Sequence, residues 1–450
     1  MTGADTYPLA LRVKFVLTSL IGILVFLTPI EHAGQQTVFI GVITNWIRQP
    51  LEPYLLGIVV AIIVISAIGG SYYLMAKPDW RKSHVFLHAI CNVTPVWLFL
   101  RFAGAAAGLM VFFEIGPELV WGASTGRLVF VDIGTAMLVI FVTACMLMPF
   151  LTEFGLMEFI GTLARKVFER LFNLPGRSAI DATASFVAAA SVGLLITINQ
   201  YERGYYSARE SAAVATNFSV VSIPFSLVVA DVAGVDHIYF TWYLTVIVAC
   251  LICALITVRV PPLSRMPDTY YAPVGKQIHE VVRKDTSLLG WSLHEAMERA
   301  RSAPGPRDFV RNGTRSFLDV AFGVIGPAMA LATATAIVVF HTPVFDILSY
   351  PVFWILELAQ VPEAKSAAPG FIAGFFDQFV PALVARSIES ELTRFILAGL
   401  SICQLIYMAE VGVLILRSTL PVSFWNLLVI FLLRTAILFP VFLIAGHWLL

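Results

Sequence analysis

Apolar runs close to the length of a membrane crossing recur along almost the whole of this chain, and they leave few folds open to it. They fall at roughly 13–30, 54–76, 84–113, 127–149, 178–198, 210–231, 238–258, 316–340, 366–387, 392–416 and 424–446. A helix of about 20 residues spans the apolar core of a bilayer at 1.5 Å of rise per residue. At that depth no water is present to satisfy backbone N–H and C=O groups, so the helix, which satisfies its own, is the means of crossing. Composition agrees. Hydrophobic residues make up 58% of the 450 and charged residues 13%, against about 25% charged in a soluble domain. The expected class is an all-α polytopic membrane protein.

The 29 basic and 29 acidic residues cancel, so the balance itself says nothing of nucleic acid; membrane lipid is the expected partner, and no nucleic acid is. Cys91, Cys145, Cys250, Cys253 and Cys403 all sit in apolar surroundings. Cys250 and Cys253 form a C-x-x-C pair in mid-run, where they read as small buried hydrophobes rather than a redox pair. Arg12 and Lys14 precede the first run, as in a signal peptide. Pro29, Ile30, Glu31 and His32 follow it in place of a small-x-small cleavage site, so a retained first span is expected. Segment 84–113 carries Pro95 and Arg101 and is expected to be kinked or tilted.

Basic residues mark the cytoplasmic side. Arg12 and Lys14, then Lys77, Arg81 and Lys82, then Arg165, Lys166, Arg170 and Arg177, and finally the stretch from Arg259 to Arg311 all assign themselves to it. Between Arg177 and Arg259 lie three apolar runs, and three crossings would put the last basic stretch outside. One run therefore fails to cross. The candidate is 178–198, SAIDATASFVAAASVGLLITI, whose small residues and Asp181 suit a re-entrant hairpin buried in protein. Segment 366–387, with Pro369, Gly370, Gly374, Asp377 and Pro381, reads as a second hairpin entering from the other side. About nine transmembrane helices and two re-entrant hairpins result.

A shift of 187 residues aligns the two regions: Phe130 meets Phe317, Asp132 meets Asp319, Pro175 meets Pro362 and Asn217 meets Gln404. With the topology above, the repeats run in opposite senses. Inverted repeats with broken helices near the midplane are a recurrent plan of secondary transporters.

Three stretches carry a resemblance to a known family. They are GRSAIDATASFVAAASVGLLITINQYERGYYSARESAAVATNFSVVSIPF (176–225), PGFIAGFFDQFVPALVA (369–385) and QLIYMAEVGVLIL (404–416). The chain resembles membrane proteins with the nucleoside-recognition or gate domain, most closely the YjiH-like family, and distantly the concentrative nucleoside transporters. The likeness covers roughly 127–446. It leaves the first spans unexplained; the expected division is N-terminal transmembrane helices over 1–126, a gate-type repeat over 127–258 with hairpin 178–198, a cytoplasmic basic loop over 259–315, and a second gate-type repeat over 316–450 with hairpin 366–387. It implies a bacterial inner (cytoplasmic) membrane protein that transports a small polar, nucleoside-like solute by alternating access, with a coupling proton or sodium ion, and that forms a homo-oligomer. An uncoupled channel or permease subunit and a membrane scaffold are the alternatives. No cofactor is expected, and no G-x-S-x-G, H-E-x-x-H or phosphate loop points to an enzyme.

Polar side chains inside the apolar runs are the candidate solute-binding residues, because burying them in hydrocarbon is costly unless they face a bundle interior or a water path. They are Asn217, Asp377, Gln404 and Glu410, joined by Asp181, Ser185 and Asn199 around the first hairpin. Each has a plainer reading. Glu410 pairs with Arg417 seven positions on, Asp377 sits at a wet hairpin tip, and Asn217 and Gln404 bond neighbouring helices. Asn199 caps a turn, and Asp181 and Ser185 belong to the first turns of a half-helix. His84 and His88 are four apart, the spacing of a metal pair, but no third ligand completes the set and no metal site is expected. Arg101 and Arg434 either snorkel or pair inside. WSLHEAMERA (291–300) reads as an amphipathic stretch that lies on the inner leaflet or docks to a partner.

Overall fold

Seven helices among the described residues are long and apolar enough to cross a membrane: Leu9–Phe26, Phe39–Ala76, Pro95–Phe113, Leu128–Leu147, Tyr239–Thr257, Pro306–His341 and Phe424–Leu449. The structure is a computed structural model, and it describes the chain apart from residues 1–6, 33–34, 77–84, 188–189, 219–220, 222, 278–286 and 410. The chain is thus an α-helical multi-pass membrane protein. Among the described residues one two-stranded ribbon departs from all-α. Pro29–His32 and Gln35–Val38 pair as an antiparallel ribbon with Pro29 opposite Val38. Pro29 cannot continue the first helix, and the polar and β-branched residues of QQTV suit a strand.

Several expected runs are divided or displaced. Phe39–Ala76 has 38 residues, about 57 Å at 1.5 Å each, so it overreaches the bilayer core, and the stretch with Pro50 and Pro53 precedes the run read as its span. Segment 84–113 breaks into Val85–Cys91 and Pro95–Phe113. Pro95 at the first helical position, with the Thr94 hydroxyl accepting from Trp97 N, starts a new helix. Leu128–Gly134 is π-helical before Thr135–Leu147 continues as α-helix. Part of the expected loop 259–315 is helical: Leu288–Arg301 contains WSLHEAMERA, and the next helix starts at Pro306. Leu288–Arg301 docks within the chain, against Leu156–Phe172 and Leu9–Leu27. Lys14 Nζ donates to Ala300 O at 3.1 Å.

The segment 178–198 forms two short helices, Ser178–Val187 and Ala190–Glu202. Its ends meet. The Arg177 guanidinium lies 4.0 Å from the Tyr205 ring centre, and the Tyr206 hydroxyl donates to Asp181 Oδ2 at 2.5 Å. Segment 366–387 likewise forms Ala364–Ala373 and Val380–Arg386. Glu363 Oε1 accepts from the backbone of Glu389 (3.0 Å) and Ser390 (2.8 Å) across its base.

The runs 210–231 and 392–416, expected as unbroken, are interrupted. The first is Ala208–Asn217 and Ile223–Ala233; the second is Glu391–Cys403 and Val411–Arg417. Pro224 occupies the second position of its helix, where its missing N–H is no loss. In the second, Leu405 takes φ +61°, a left-handed conformation that ends a helix and strains a branched side chain.

The interrupted helices pack on each other's neighbours. Ile223–Ala233 packs on Val380–Arg386 and Glu391–Cys403, and Tyr239–Thr257 packs on Phe424–Leu449. The Phe225 and Phe379 rings are 4.5 Å apart. The N-terminal helices lie against both regions, with Phe39–Ala76 on Thr135–Leu147 and Pro95–Phe113 on Ile325–His341. At that last crossing a Cβ on Gly104 would stand 2.4 Å from Gly326 O, so only glycine lets the two backbones approach this closely.

Candidate functional site

A helix broken inside an apolar bundle leaves its last four carbonyls without helical partners. For Glu391–Cys403, Leu400 O keeps the Gln404 N–H at 3.0 Å and side chains supply the rest. The Tyr407 hydroxyl donates to Ser401 O at 2.8 Å and Ile402 O at 2.9 Å. Arg434 Nε donates to Cys403 O (3.1 Å) and Gln404 O (3.0 Å), and Nη2 donates to Cys403 O at 2.6 Å. The unwound residues beyond reach the second hairpin, where Met408 N donates to Phe375 O at 2.8 Å and Ala409 N to Phe376 O at 2.9 Å.

Arg434 is fully buried. Among the described residues no carboxylate pairs with it. Its charge meets helix ends instead. The C-terminus of a helix carries about −0.5 of a charge, and Arg434 touches two of them. Nη1 donates at 2.7 Å to Oδ1 of Asn217, the last residue of Ala208–Asn217. Two half-helix ends, each bearing an amide, therefore converge on one guanidinium. Asn217 is buried, with Thr257 Oγ1 donating to the same Oδ1 at 2.5 Å and its own Nδ2 donating to Ala213 O at 3.1 Å.

Gln404 is buried, and its Nε2 donates to Phe371 O and Thr435 Oγ1, both at 2.9 Å. Its Oε1 is buried without a hydrogen-bond partner among the described residues and points at Gly374, where a Cβ would stand 2.0 Å from it. An amide oxygen held this way is a buried acceptor whose bonding capacity is unused among the described residues. Asp377 is buried in the turn between the arms of the second hairpin, and its Oδ1 accepts from Phe379 N at 2.8 Å. Its neighbour Gln378 accepts through its carbonyl from the Ser401 hydroxyl.

Asp181 and Ser185 form a second cluster, at the first hairpin. Both are buried, and Ser185 Oγ donates to Asp181 O at 3.1 Å. Among the described residues no hydrogen bond links this cluster to Arg434. Asn199 is exposed on Ala190–Glu202, and its carbonyl accepts from Arg203 N at 3.0 Å, a turn-ending role. Glu410 lies outside the described residues. The structure thus brings Asn217 and Gln404 together, sets Asp377 on the hairpin that touches the Gln404 segment, and keeps Asp181, Ser185 and Asn199 apart from them. Of the two arginines left open by the sequence, neither snorkels. Arg101 is buried with Nη2 donating to Ile90 O at 3.0 Å, and Arg434 organises the site. The signal for Arg434 was present as a lone cation within an apolar run, but nothing in the run says what it meets. Among the described residues no cluster of three or more His, Cys, Asp or Glu could hold a metal ion.

Comparison with known proteins adds to this geometry. A family model described as "Gate: Nucleoside recognition" matches residues 135–235, which include the first hairpin and the first interrupted helix. An uncharacterized protein of Alkalihalophilus pseudofirmus is 44% identical over 443 residues, 98% of this chain and 96% of that protein. Two solved structures of CNTnw, one in an "intermediate 1 state" and one in an "inward-facing substrate-bound state", each share 15% identity over 96% of this chain. The alignments cover 99% and 95% of those chains, with TM-scores of 0.41 and 0.37.

Proposed function

This chain belongs to the nucleoside-recognition (gate) family of membrane proteins, and we propose that it carries a small polar, nucleoside-like solute across the bacterial cytoplasmic membrane by alternating access. The role is transport and not catalysis. The observation that carries the reading is the meeting of two interrupted helices, each ending in a buried amide, at a common guanidinium. Discontinuous helices of this kind build midplane solute sites in secondary transporters.

The finer architecture follows. The elements of 128–257 recur in the same order over 306–449. The first hairpin arm, both halves of the interrupted helix and the last helix of each set start 183 to 188 residues apart. Counting the two interrupted helices with the seven long ones gives nine crossings, and the two helical hairpins are re-entrant. Inversion of the halves is supported by contacts between loops, which pair like with like. Residues expected inside meet each other, as in Arg299–Glu158 (3.5 Å), Asn312–Glu153 (3.4 Å) and Thr419–Glu202 (3.1 Å). Residues expected outside do the same, as in Arg48–Asp231 (3.1 Å), His237–Glu391 (2.6 Å) and Ser124–His341 (3.1 Å).

In this reading Gln404 Oε1 accepts from the solute, Asn217 lines the same crossing, and Asp377 and Glu410 supply the charge that a coupling proton or sodium ion neutralises. Asp181, Ser185 and Asn199 belong to the opposing hairpin. Reconstitution in proteoliposomes with radiolabelled uridine and adenosine tests it. Uptake above empty vesicles is expected, concentrative under an imposed proton or sodium gradient. Folded protein that passes neither nucleoside, and whose thermal midpoint no nucleoside raises, removes the reading. Downhill flux without accumulation transfers it to a channel.

A further inference from the structure

Two helices come together at their C-terminal ends, and an arginine closes the junction. Arg259, just past Tyr239–Thr257, donates through Nη1 to Leu255 O at 2.6 Å and through Nη2 to Leu171 O. Leu171 lies in the last turn of Leu156–Phe172. Carbonyls at two helix ends, each an electronegative pole, thus hold one exposed guanidinium in place. Two of its five N–H groups go to these carbonyls, which leaves the others for an anion. Behind the junction Phe168, Phe172, Phe218 and Ala254 share a small core of their own. In front of it Leu255, Ile256, Arg259 and Val260 line an open groove.

Both helices present apolar residues beside these cations. On the membrane-crossing helix Tyr239–Thr257, Leu244, Val248, Leu251 and Leu255 are exposed at spacings of three and four, one stripe that leads to Arg259. From Leu244 to Leu255 the stripe rises about 16 Å, the depth of one leaflet of a core about 30 Å thick. On Leu156–Phe172, Ile160, Val167 and Leu171 are exposed along one face, and Lys166 and Arg170, one turn apart, are exposed beside it. This is the pattern of a helix lying in a membrane interface. Glu169 does not cancel these cations, because it lies toward Arg165. A Cβ on Gly176 would stand 2.3 Å from Glu169 Oε1 and 3.0 Å from Arg165 Nε.

We propose that this junction binds an anionic phospholipid of the inner leaflet. The acyl chains lie on the stripe from Leu244 to Leu255, and the phosphate meets Arg259 and Arg170, with Lys166 as a further charge. A zwitterionic lipid would set its ammonium among the same cations, so the site selects for net negative charge. The site rests on the membrane class of the chain and on the sidedness of its arginines and lysines; transport plays no part in it.

Native mass spectrometry of the full-length protein, with dioleoylphosphatidylglycerol and dioleoylphosphatidylcholine added together in equal amounts, tests the site. The phosphatidylglycerol adduct should be about tenfold the more abundant, and Arg170→Gln and Arg259→Gln should each cut that preference about fivefold. Arg307→Gln, which removes the same charge from an exposed position on Pro306–Gly323, should leave it unchanged. Arg259 also ties two helix ends, so if its variant does not fold, Arg170→Gln decides alone. Equal adducts of the two lipids overturn the proposal. So does an equal loss in the Arg170, Arg259 and Arg307 variants, which means a diffuse attraction and no site. Inorganic phosphate that raises the thermal midpoint as far as phosphatidylglycerol does makes the occupant a free anion and overturns it as well.

Discussion

Replacing Arg434 with methionine removes a buried cation while leaving its acceptors in place, and the structure sets the size of the effect. Arg434 serves Cys403 O through Nε and Nη2, Gln404 O through Nε, and Asn217 Oδ1 through Nη1. Asn217 retains Thr257, so two carbonyls at the end of Glu391–Cys403 lose their donor. Each buried unmade partner costs about 1–3 kcal/mol. Methionine fills much of the volume and relieves the desolvation of the charge, which offsets part of this. The net loss expected is about 2–4 kcal/mol. Arg434→Lys keeps the charge near both helix ends but cannot reach all three acceptors, and should lose about 1–2 kcal/mol. Reversible unfolding by detergent titration in mixed micelles, followed by tryptophan fluorescence, measures both. The order parent, lysine, methionine is the expected outcome. A methionine variant within about 0.5 kcal/mol of the parent refutes the view that these carbonyls depend on the guanidinium.

Gly374→Ala places a Cβ 2.0 Å from Gln404 Oε1, so the amide must turn and lose its bonds to Phe371 and Thr435. Nucleoside uptake should fall by about tenfold, whereas the same change in a Gln404→Ala background should have little further effect, and a full additive loss there would remove the coupling. Single cysteines placed at Gly204 and Ser264 should label from the cytoplasmic side and one at Gly122 from the outside. External labelling at Gly204 would turn the first hairpin into a crossing. Glu410→Gln keeps the size of the side chain and removes its titration; proton-driven accumulation should vanish while solute exchange persists. Accumulation at the parent's level would exclude Glu410 from coupling.

The sequence exposed the helical multi-pass class because it depends on apolar counts and spacing. Sidedness of arginine and lysine asks one run of 178–257 to turn back, which the labelling at Gly204 tests; in the structure Arg177 lies over the Tyr205 ring. The 187-residue shift set Asn217 against Gln404, and both stand at the end of a half-helix. The interruptions themselves were hidden. QLIYMA is as apolar as the helix before it, so hydropathy is continuous where the backbone is not, and the left-handed Leu405 leaves no mark in composition. Arg434 was visible as an anomaly, but its role depends on carbonyls, which every residue has and no sequence pattern distinguishes. The ribbon at 29–38 and the early start of the helix at Pro306 were missed because a search for apolar length passes over short polar elements.

The close crossing of Gly104 and Gly326 has a consequence for how the protein is made. Synthesis runs from the N-terminus, and domains tend to form as they emerge. Pro95–Phe113 is threaded into the membrane before its partner Ile325–His341 has been translated. Until then the groove at Gly104 faces lipid or a transient companion. Docking of Pro95–Phe113 onto Ile325–His341 is therefore a late event. A ribosome halted before residue 325 should carry a chain whose Pro95–Phe113 helix is inserted but still open to cross-linking with insertion factors, and release of that cross-link should mark the moment the second half arrives.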